Sequence, residues 1–343
     1  MRGAAKVVLL CAIGLLFASE LTSGPRRRWR RAWRRRARAQ QVKRDAEKYY
    51  KEGLALVKKE KYDEAIAKFK LAIDIQGNYY DARMALGREL MRRGEFEEAE
   101  PHFRRAARID KESPEPHVWL GDCYQEQSRL DEAMEEYNRA LAIDGRNYDA
   151  KLGVGLVLIA KKELIRAEET LKEAVKLDSK PVAAHYWLEA ICSHNGRLKD
   201  AIEHCKKVLR YDRDFHEAKM RLAELYERNG DFTKAISEYK RIGSTTKSPF
   251  KAEALLRVAQ IYEGRLKDVK AAITYYEKYV KVTQDHEIAE RVEKLKAGEP
   301  VPPVEPREFF DPLKDDERDE PERAGQPDKS EGPSEKPAPE PDR

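Results

Sequence analysis

The stretch GRELMRRGEFEEAEPHFRRAARID, residues 87–110, recurs along the chain. Its counterparts are GLALVKKEKYDEAIAKFKLAIDI at 53–75, GDCYQEQSRLDEAMEEYNRALAID at 121–144 and GLVLIAKKELIRAEETLKEAVKLD at 155–178, and their first residues are 34 positions apart each time. Every copy holds apolar residues at helical spacing on both sides of a short polar turn such as RRGE. This period and pattern predict a stack of helical hairpins.

The copies resemble the tetratricopeptide repeat family, in which alanine at position 20 lets two helices approach closely and a large residue at position 24 fills the space beside it. Position 20 is alanine in all six repeats that begin at Ala46, Tyr80, Pro114, Tyr148, Val182 and His216. Position 24 is Phe69, Phe103, Tyr137, Leu171, Cys205 and Tyr239. The resemblance covers about 250 of 343 residues. It implies an all-α, right-handed superhelical solenoid of about seven hairpins.

Composition divides the chain into four segments. We predict a signal- or anchor-like apolar segment at 1–24, a basic arm at 25–44, the solenoid at 45–299 and a tail at 300–343. A looser seventh repeat begins near Ala252 and holds one inserted residue in GRLKDVKAA, and HEIAERVEKLKAG is predicted to form a capping helix that stops at Gly298.

The tail contains eleven of the seventeen prolines and has a net charge of −7, so it cannot bury enough apolar surface to fold alone. Its apolar anchors are Phe309, Phe310 and Leu313. Two interpretations stay open: these anchors dock on the protein's own groove or on a partner, or the tail is a solvating linker.

The resemblance also implies where partners bind, because positions 2, 5, 9, 12 and 13 line the concave groove in this family. The middle of that groove is then apolar, and we expect it to receive an amphipathic helix or an extended peptide. The alternative is that position 5 packs against the adjacent repeat. The candidate groove residues are Tyr50, Met84, Arg88, Arg92, Asp122, Leu152, Leu156, Ile159 and Tyr186.

The apolar segment at the N-terminus predicts membrane targeting, because Arg2 and Lys6 precede an uninterrupted apolar run over 7–18. The flank after this segment is far more basic than the flank before it. By the positive-inside rule, that asymmetry favours an uncleaved anchor with the solenoid in the cytoplasm. The alternatives are a cleaved signal peptide with an exported, periplasmic or secreted product, and a mitochondrial transit sequence.

The basic arm contains RRRWRRAWRRRAR at 26–38, with nine arginines and two tryptophans. One interpretation is a flank that sets topology, and a second is binding to an anionic membrane surface, with both indoles on one helix face at headgroup depth. Nucleic-acid binding is the least supported interpretation. The candidate membrane-binding residues are Arg26, Arg27, Arg28, Trp29, Arg30, Arg31, Trp33, Arg34, Arg35 and Arg36.

No catalytic centre, cofactor site or metal site is predicted. The chain has no P-loop and no dinucleotide glycine pattern, and HEIAE at His286 lacks the second histidine of a zinc-protease helix. Cys192 and Cys205 fall on core positions 11 and 24 of the repeat, so we expect them to pack rather than bind metal. The four cysteines form no disulfide framework.

These observations predict a non-catalytic adaptor that holds proteins or peptides in its groove and is tethered to a membrane by its N-terminus. An exported adaptor in envelope assembly or secretion is the alternative, and a nucleic-acid-associated protein acting through the basic arm is a second one.

Overall fold

The computed structural model describes residues 25–245, 248–303 and 312–313, and this part of the chain contains helices and no strand. The all-α class is therefore confirmed. The described helices are α1 (Pro25–Val57), α2 (Tyr62–Ile75), α3 (Tyr80–Arg92), α4 (Phe96–Ile109), α5 (Glu115–Glu126), α6 (Leu130–Ile143), α7 (Tyr148–Ala160), α8 (Leu164–Ala174), α9 (Val182–His194), α10 (Leu198–Tyr211), α11 (His216–Arg228), α12 (Phe232–Ser244), α13 (Lys251–Gln260), α14 (Val269–Thr283) and α15 (His286–Ala297).

The described residues divide into two compact units. The first lies within Met1–Leu188 and His204–Ala218, and the second within Glu189–Glu203 and Lys219–Arg343. In the first unit α1 pairs with α2, α3 with α4, α5 with α6 and α7 with α8, and each hairpin packs on the next. In the second unit α12 packs on α13, α13 on α14 and α14 on α15.

Each hairpin of the first unit closes where a glycine meets a large side chain. A Cβ atom at Gly87 would lie 2.6 Å from the Phe103 ring, and one at Gly121 would lie 2.5 Å from the Tyr137 ring. Both rings are buried. Glycine at position 8 and the large residue at position 24 therefore contact each other, and this contact sets how closely the two helices approach.

The turn between the two helices of a repeat uses a left-handed residue at position 15. Glycine adopts this conformation without steric cost, whereas other residues are strained by about 1 to 2 kcal/mol. Glycine occupies the position in three repeats and glutamate, serine or lysine in the others. The left-handed turn residues are Glu60, Gly94, Ser128, Lys162, Gly196, Gly230 and Lys267.

The inserted residue of the seventh repeat is accommodated in a π-helical turn, Ile261–Leu266, directly after α13. A π-turn closes a wider ring than an α-turn, so it absorbs one extra residue without breaking the helix. The segment that was predicted to form a capping helix is α15. The Asp285 side chain accepts a hydrogen bond from the backbone N–H of Ile288 at 3.1 Å, and Gly298 ends the helix at φ 73°.

Helix α1 contains 33 residues and is about 50 Å long at 1.5 Å per residue. It continues without a break across the predicted boundary between residues 44 and 45. Residues 29–36 are exposed, and the second half of the helix packs against α2. The predicted signal or anchor at 1–24 lies outside the described residues. Within the part that the structure describes, no helix is long and apolar enough to cross a membrane.

Of the tail, the structure describes 300–303 and 312–313. Pro312 and Leu313 are half-buried, and the backbone oxygen of Pro302 accepts a hydrogen bond from Arg291 Nη2 at 2.7 Å. The anchors Phe309 and Phe310 lie outside the described residues.

Replacing Gly153 by alanine should lower the free energy of unfolding by about 1 to 3 kcal/mol, as overpacking of a close-packed core usually does. A Cβ at Gly153 would overlap the Tyr137 ring, which is already confined by Gly121. The matched control is Gly145→Ala, because a Cβ there would have only the backbone oxygen of Leu141 nearby, at 3.8 Å. Urea unfolding followed by circular dichroism measures the free energy of unfolding of both variants. Equal midpoints for the two variants would contradict the prediction.

Candidate functional site

A groove of about 500 Å³ lies in the first unit between α5 and α7, which are the first helices of the third and fourth repeats. We call it the α5–α7 groove. Its lining residues are Glu115, Val118, Trp119, Asp122, Asn147, Asp149, Leu152, Gly153 and Leu156.

The apolar part of the groove follows from the spacing of residues on α7. Leu152 and Leu156 are four residues apart and so lie on one helix face, where both are half-buried. Gly153 and Gly155 lie against the buried side chains of Tyr137 and Leu171 instead. The start of α7 is fixed because the Asn147 side chain accepts a hydrogen bond from the backbone N–H of Ala150 at 2.8 Å.

The α5 side of the groove contributes a large aromatic surface. Trp119 is half-buried and stacks on Phe103, with ring centroids 5.9 Å apart and an interplanar angle of 11°. Phe103 belongs to the closed hairpin of the preceding repeat, so the indole is held in place by the core behind it. A half-buried indole in this position suits an apolar partner side chain.

Asp122 is the most perturbed group in the groove. Burial raises its pKa to about 6, and the nearby carboxylates of Asp149 and Glu126 act in the same direction. The Tyr137 hydroxyl opposes this shift, because it donates a hydrogen bond to Asp122 Oδ1 at 2.6 Å. Asp122 is therefore ionised at neutral pH, and the hydrogen bond from Tyr137 offsets only part of the cost of burying its charge.

The groove combines this apolar surface with a negative rim. Its lining carboxylates are Glu115, Asp122 and Asp149, whereas no lysine or arginine is among the described residues that line it. Arg88 lies next to the rim, with Nη1 3.5 Å from Glu115 Oε1. Such a surface is chemically suited to an apolar segment that carries lysine or arginine.

The structure brings together three of the predicted groove residues, Asp122, Leu152 and Leu156. The assignment of Met84 to the groove must be corrected, because this residue is 2% exposed and packs in the hydrophobic core of the first unit. The position-5 side chain thus packs between repeats here, as the alternative interpretation had it. Arg92 lies outside the groove, over the Tyr62 ring at 4.7 Å.

The remaining predicted residues are half-buried but do not line the α5–α7 groove. Tyr50 packs against Phe69 and Tyr79, with centroids 5.9 and 5.3 Å apart. Tyr186 contacts Phe215 at 6.1 Å. Ile159 lies one turn beyond Leu156 on α7 and outside the groove lining.

The sequence prediction missed Trp119, Glu115 and Asp149. Glu115 and Asp149 occupy position 2 of the repeat, which the family uses for its groove, so this position held a usable signal. Trp119 occupies position 6, which the family pattern does not assign to the groove. It lines the site together with Gly153, the residue at the same position in the next repeat.

The basic arm forms the first half of α1. Trp29 is 70% exposed and Trp33 is 60% exposed, and since they are one helical turn apart they share a face, as predicted. The arginines at 30, 31, 34, 35 and 36 are exposed as well. Within the described residues none of these five guanidinium groups pairs with a carboxylate. Arg26, Arg27 and Arg28 lie within the helix bounds.

The cysteines on the core positions are buried. Cys192 and Cys205 are each 2% exposed, and the Cys205 thiol lies 3.2 Å from the backbone oxygen of Ala218. Across the described ranges, no group of three or more histidine, cysteine, aspartate or glutamate side chains is arranged to hold a metal ion.

Comparison with protein families assigns most of the solenoid to one family. Three models described as tetratricopeptide repeat match, the first over 84–150, the second over 194–249, and the third over 46–79 and 252–286. The chain is a tetratricopeptide repeat protein. These matches cover more than half of its length, and those of the third model begin at the predicted starts of the first and seventh repeats. Proteins of this family are typically non-catalytic scaffolds that bind other proteins or peptides.

Solved structures show the same fold. A tetratricopeptide repeat protein from Parabacteroides merdae ATCC 43184 is 17% identical, with 74% of this chain and 99% of that chain covered and a TM-score of 0.50. PilW, described as a widely conserved type IV pilus biogenesis factor, is 18% identical, with 61% and 98% covered and a TM-score of 0.55. The predicted solenoid of helical hairpins is thereby confirmed. Comparison of the sequence with curated proteins gives no match.

Proposed function

We propose that this tetratricopeptide repeat protein is an adaptor whose α5–α7 groove binds an apolar protein segment that carries lysine or arginine. The observation that carries the proposal is the pairing of an apolar surface, Trp119 with Leu152 and Leu156, with the carboxylates of Glu115 and Asp122. Arg88 already lies beside Glu115, so a cationic side chain on the partner would pair with Asp122 and Asp149, and apolar side chains beside it would cover the leucines.

A peptide-display experiment tests this adaptor function. The purified full chain is presented with a displayed library of random peptides, and we expect the selected peptides to combine aliphatic or aromatic residues with lysine or arginine. Leu156→Asp should weaken binding of a selected peptide about tenfold or more, since a buried leucine contributes about 1.5 to 3 kcal/mol. Isothermal titration calorimetry gives the affinities.

The matched control is Ile165→Asp on α8. Ile165 is 79% exposed and lies outside the groove, so this variant makes the same kind of change without touching the site. It should bind the selected peptides as the unaltered protein does. The proposal fails if no peptide is enriched, or if Leu156→Asp binds as tightly as Ile165→Asp while both keep native helicity.

Binding of a cationic peptide to the groove should weaken as the pH falls. The pKa of Asp122 is raised to about 6 in the free protein, and a bound cation favours its ionised form. Lowering the pH from about 7.5 to about 5 protonates Asp122 in the free protein, so the affinity should fall by up to about tenfold. Asp122→Asn should remove most of this pH dependence. An unchanged pH profile in that variant would exclude Asp122 as the contact.

We also propose that the N-terminus tethers the adaptor to a membrane with the solenoid in the cytoplasm. The apolar run over 7–18 and the arginines that follow it support this topology through the positive-inside rule. The exposed indoles of Trp29 and Trp33, among the exposed arginines at 30, 31, 34, 35 and 36, support contact of the basic arm with anionic headgroups.

Reporter fusions test the tether. One reporter that works only in the cytoplasm and another that works only after export are fused in turn to the C-terminus, and membrane association is measured for each. We expect activity of the cytoplasmic reporter in the membrane fraction. Activity of the export reporter, with loss of about the first 24 residues, would instead support the exported adaptor.

A further inference from the structure

A second groove, of about 620 Å³, lies in the second unit among α12, α13 and α14. Four of its lining residues are lysines, Lys240, Lys251, Lys278 and Lys281, and no carboxylate is among the described residues that line it. We call it the four-lysine groove. It involves the second helices of the sixth and seventh repeats, α12 and α14, whereas the α5–α7 groove lies between first helices.

Two of the four ammonium groups are held against one aromatic ring. Lys240 Nζ lies 5.0 Å and Lys278 Nζ 4.4 Å from the centroid of the Tyr275 ring. Lys240 also donates a hydrogen bond to the Tyr262 hydroxyl at 2.9 Å. Burial acts to lower the pKa of Lys240, but these tyrosine contacts outweigh it, so the net shift is upward. Lys240 therefore stays charged, and the ammonium groups of Lys240 and Lys278 both lie over the Tyr275 ring.

The positive charge of this groove has no counter-charge within the described residues. None of the four lysines forms an ion pair there, whereas Lys234 and Lys296 in the same unit pair with Asp231 and Glu277 at 3.3 and 3.0 Å. The helix dipole does not explain the cluster. It favours Lys281 in the last turn of α14 but opposes Lys251, which is the first residue of α13.

The chain itself contains a segment of the opposite charge. Residues 314–322, KDDERDEPE, carry six acidic and two basic side chains and lie in the tail that follows α15. Helix α15 packs on α14, which forms one wall of the four-lysine groove. The tail therefore leaves the solenoid from a helix that neighbours the groove.

The tail can extend well beyond the helix that it follows. Its beginning is held by the hydrogen bond from Arg291 to the backbone oxygen of Pro302. From that point the chain to residue 315 can span about 40 Å at about 3.3 Å per residue. Helix α15, with twelve residues, is about 18 Å long and packs on α14, so this reach exceeds the length of the helix from which the tail leaves.

We propose that residues 314–322 of the chain's own tail dock in the four-lysine groove, where their carboxylates pair with the four ammonium groups. This inference is independent of the adaptor function, because it concerns another unit and another pair of helices. Its consequence is that the tail occupies a second binding surface, which a different acidic segment could enter only in competition with it.

Zero-length carbodiimide crosslinking on the full chain tests the docking, because it joins a lysine to a carboxylate only when they are in contact. We expect crosslinks from residues 315–322 to the four lysines several-fold more often than to Lys270, an exposed lysine on α14 that does not line the groove. Mixing isotopically labelled and unlabelled chains identifies which crosslinks lie within one molecule. Crosslinks to Lys270 in equal yield, or crosslinks only between molecules, would overturn the proposal.

A competition experiment provides a second, independent readout. A fluorescent peptide with the sequence of 314–322 is titrated into the full chain and into a variant whose six acidic residues in this segment are changed to their amides. The variant should bind the peptide about tenfold more tightly, because its own tail no longer competes. Adding Lys240→Gln and Lys278→Gln should abolish this gain. Equal binding to both forms, or binding that survives the lysine changes, would refute docking in this groove.

Discussion

Replacing Arg221 by methionine should lower the free energy of unfolding by about 3 to 5 kcal/mol, the usual cost of removing one partner of a buried ion pair. Glu189 is 2% exposed and Arg221 6% exposed, and both belong to the second unit. Arg221 donates from Nη2 to Glu189 Oε1 at 2.8 Å and from Nε to Oε2 at 3.3 Å. The substitution leaves the Glu189 carboxylate buried without this bidentate partner.

Glu224 is part of the same cluster, since its Oε2 lies 3.8 Å from Arg221 Nη1. Burial raises the pKa of Glu224 to about 7, so it can take up a proton near neutral pH when Arg221 is lost. Glu189 should therefore account for most of the cost. The double variant Glu189→Leu with Arg221→Met should recover most of the stability, because apolar replacement of a whole buried pair is often neutral.

Urea unfolding followed by circular dichroism measures these variants, and Arg241→Met is the matched control. Arg241 pairs with Glu238 at 2.6 Å on the same unit, but its side chain is 70% exposed, so we expect a loss of less than about 1 kcal/mol. If Arg221→Met is no more destabilising than Arg241→Met, the buried pair does not stabilise the second unit as argued.

Replacing Tyr137 by alanine should lower the free energy of unfolding by about 3 to 5 kcal/mol, because it removes a fully buried ring from the core of the first unit. The ring lies against Gly121 on α5 and Gly153 on α7. Its loss therefore leaves a cavity at the contact between two repeats. These glycines have no side chains that could fill it.

Tyr137→Phe separates the ring from its hydroxyl. This variant should lose only about 1 kcal/mol. It should also raise the pKa of Asp122 above about 6, since Asp122 loses the hydrogen bond that opposes the effect of burial. Urea midpoints and an NMR titration of the Asp122 carboxyl group measure the two effects. A Tyr137→Phe variant as unstable as Tyr137→Ala would show that the hydroxyl, and not ring packing, dominates.

The fold could be predicted from the sequence because the same contact recurs in the first four repeats, although Glu189 and Ala223 replace its glycine in the fifth and sixth. Glycine at position 8, alanine at 20 and a large residue at 24 describe one hairpin, and the 34-residue period places the next one. The inserted residue of the seventh repeat could also be predicted from the sequence. The π-helical turn that accommodates it could not.

The candidate groove was predicted only in part, and the reason is local packing. Position 5 was expected to face a partner, yet Met84 packs in the core, while Leu152 at the same position lines the α5–α7 groove. The difference depends on how much space the neighbouring repeat leaves. Trp119 lines the groove beside Gly153 of the next repeat, and this is a relation between two repeats that a one-repeat pattern does not contain.

Helix α1 has a mechanical consequence for whatever the basic arm binds. One unbroken helix of 33 residues contains both the exposed tryptophans and the first helical segment that packs in the solenoid. The connection between them is therefore a continuous helix and not a flexible linker. Any tilt or rotation imposed on Trp29 and Trp33 is transmitted to the first hairpin. The angle at which the arm is held therefore sets the orientation of that hairpin.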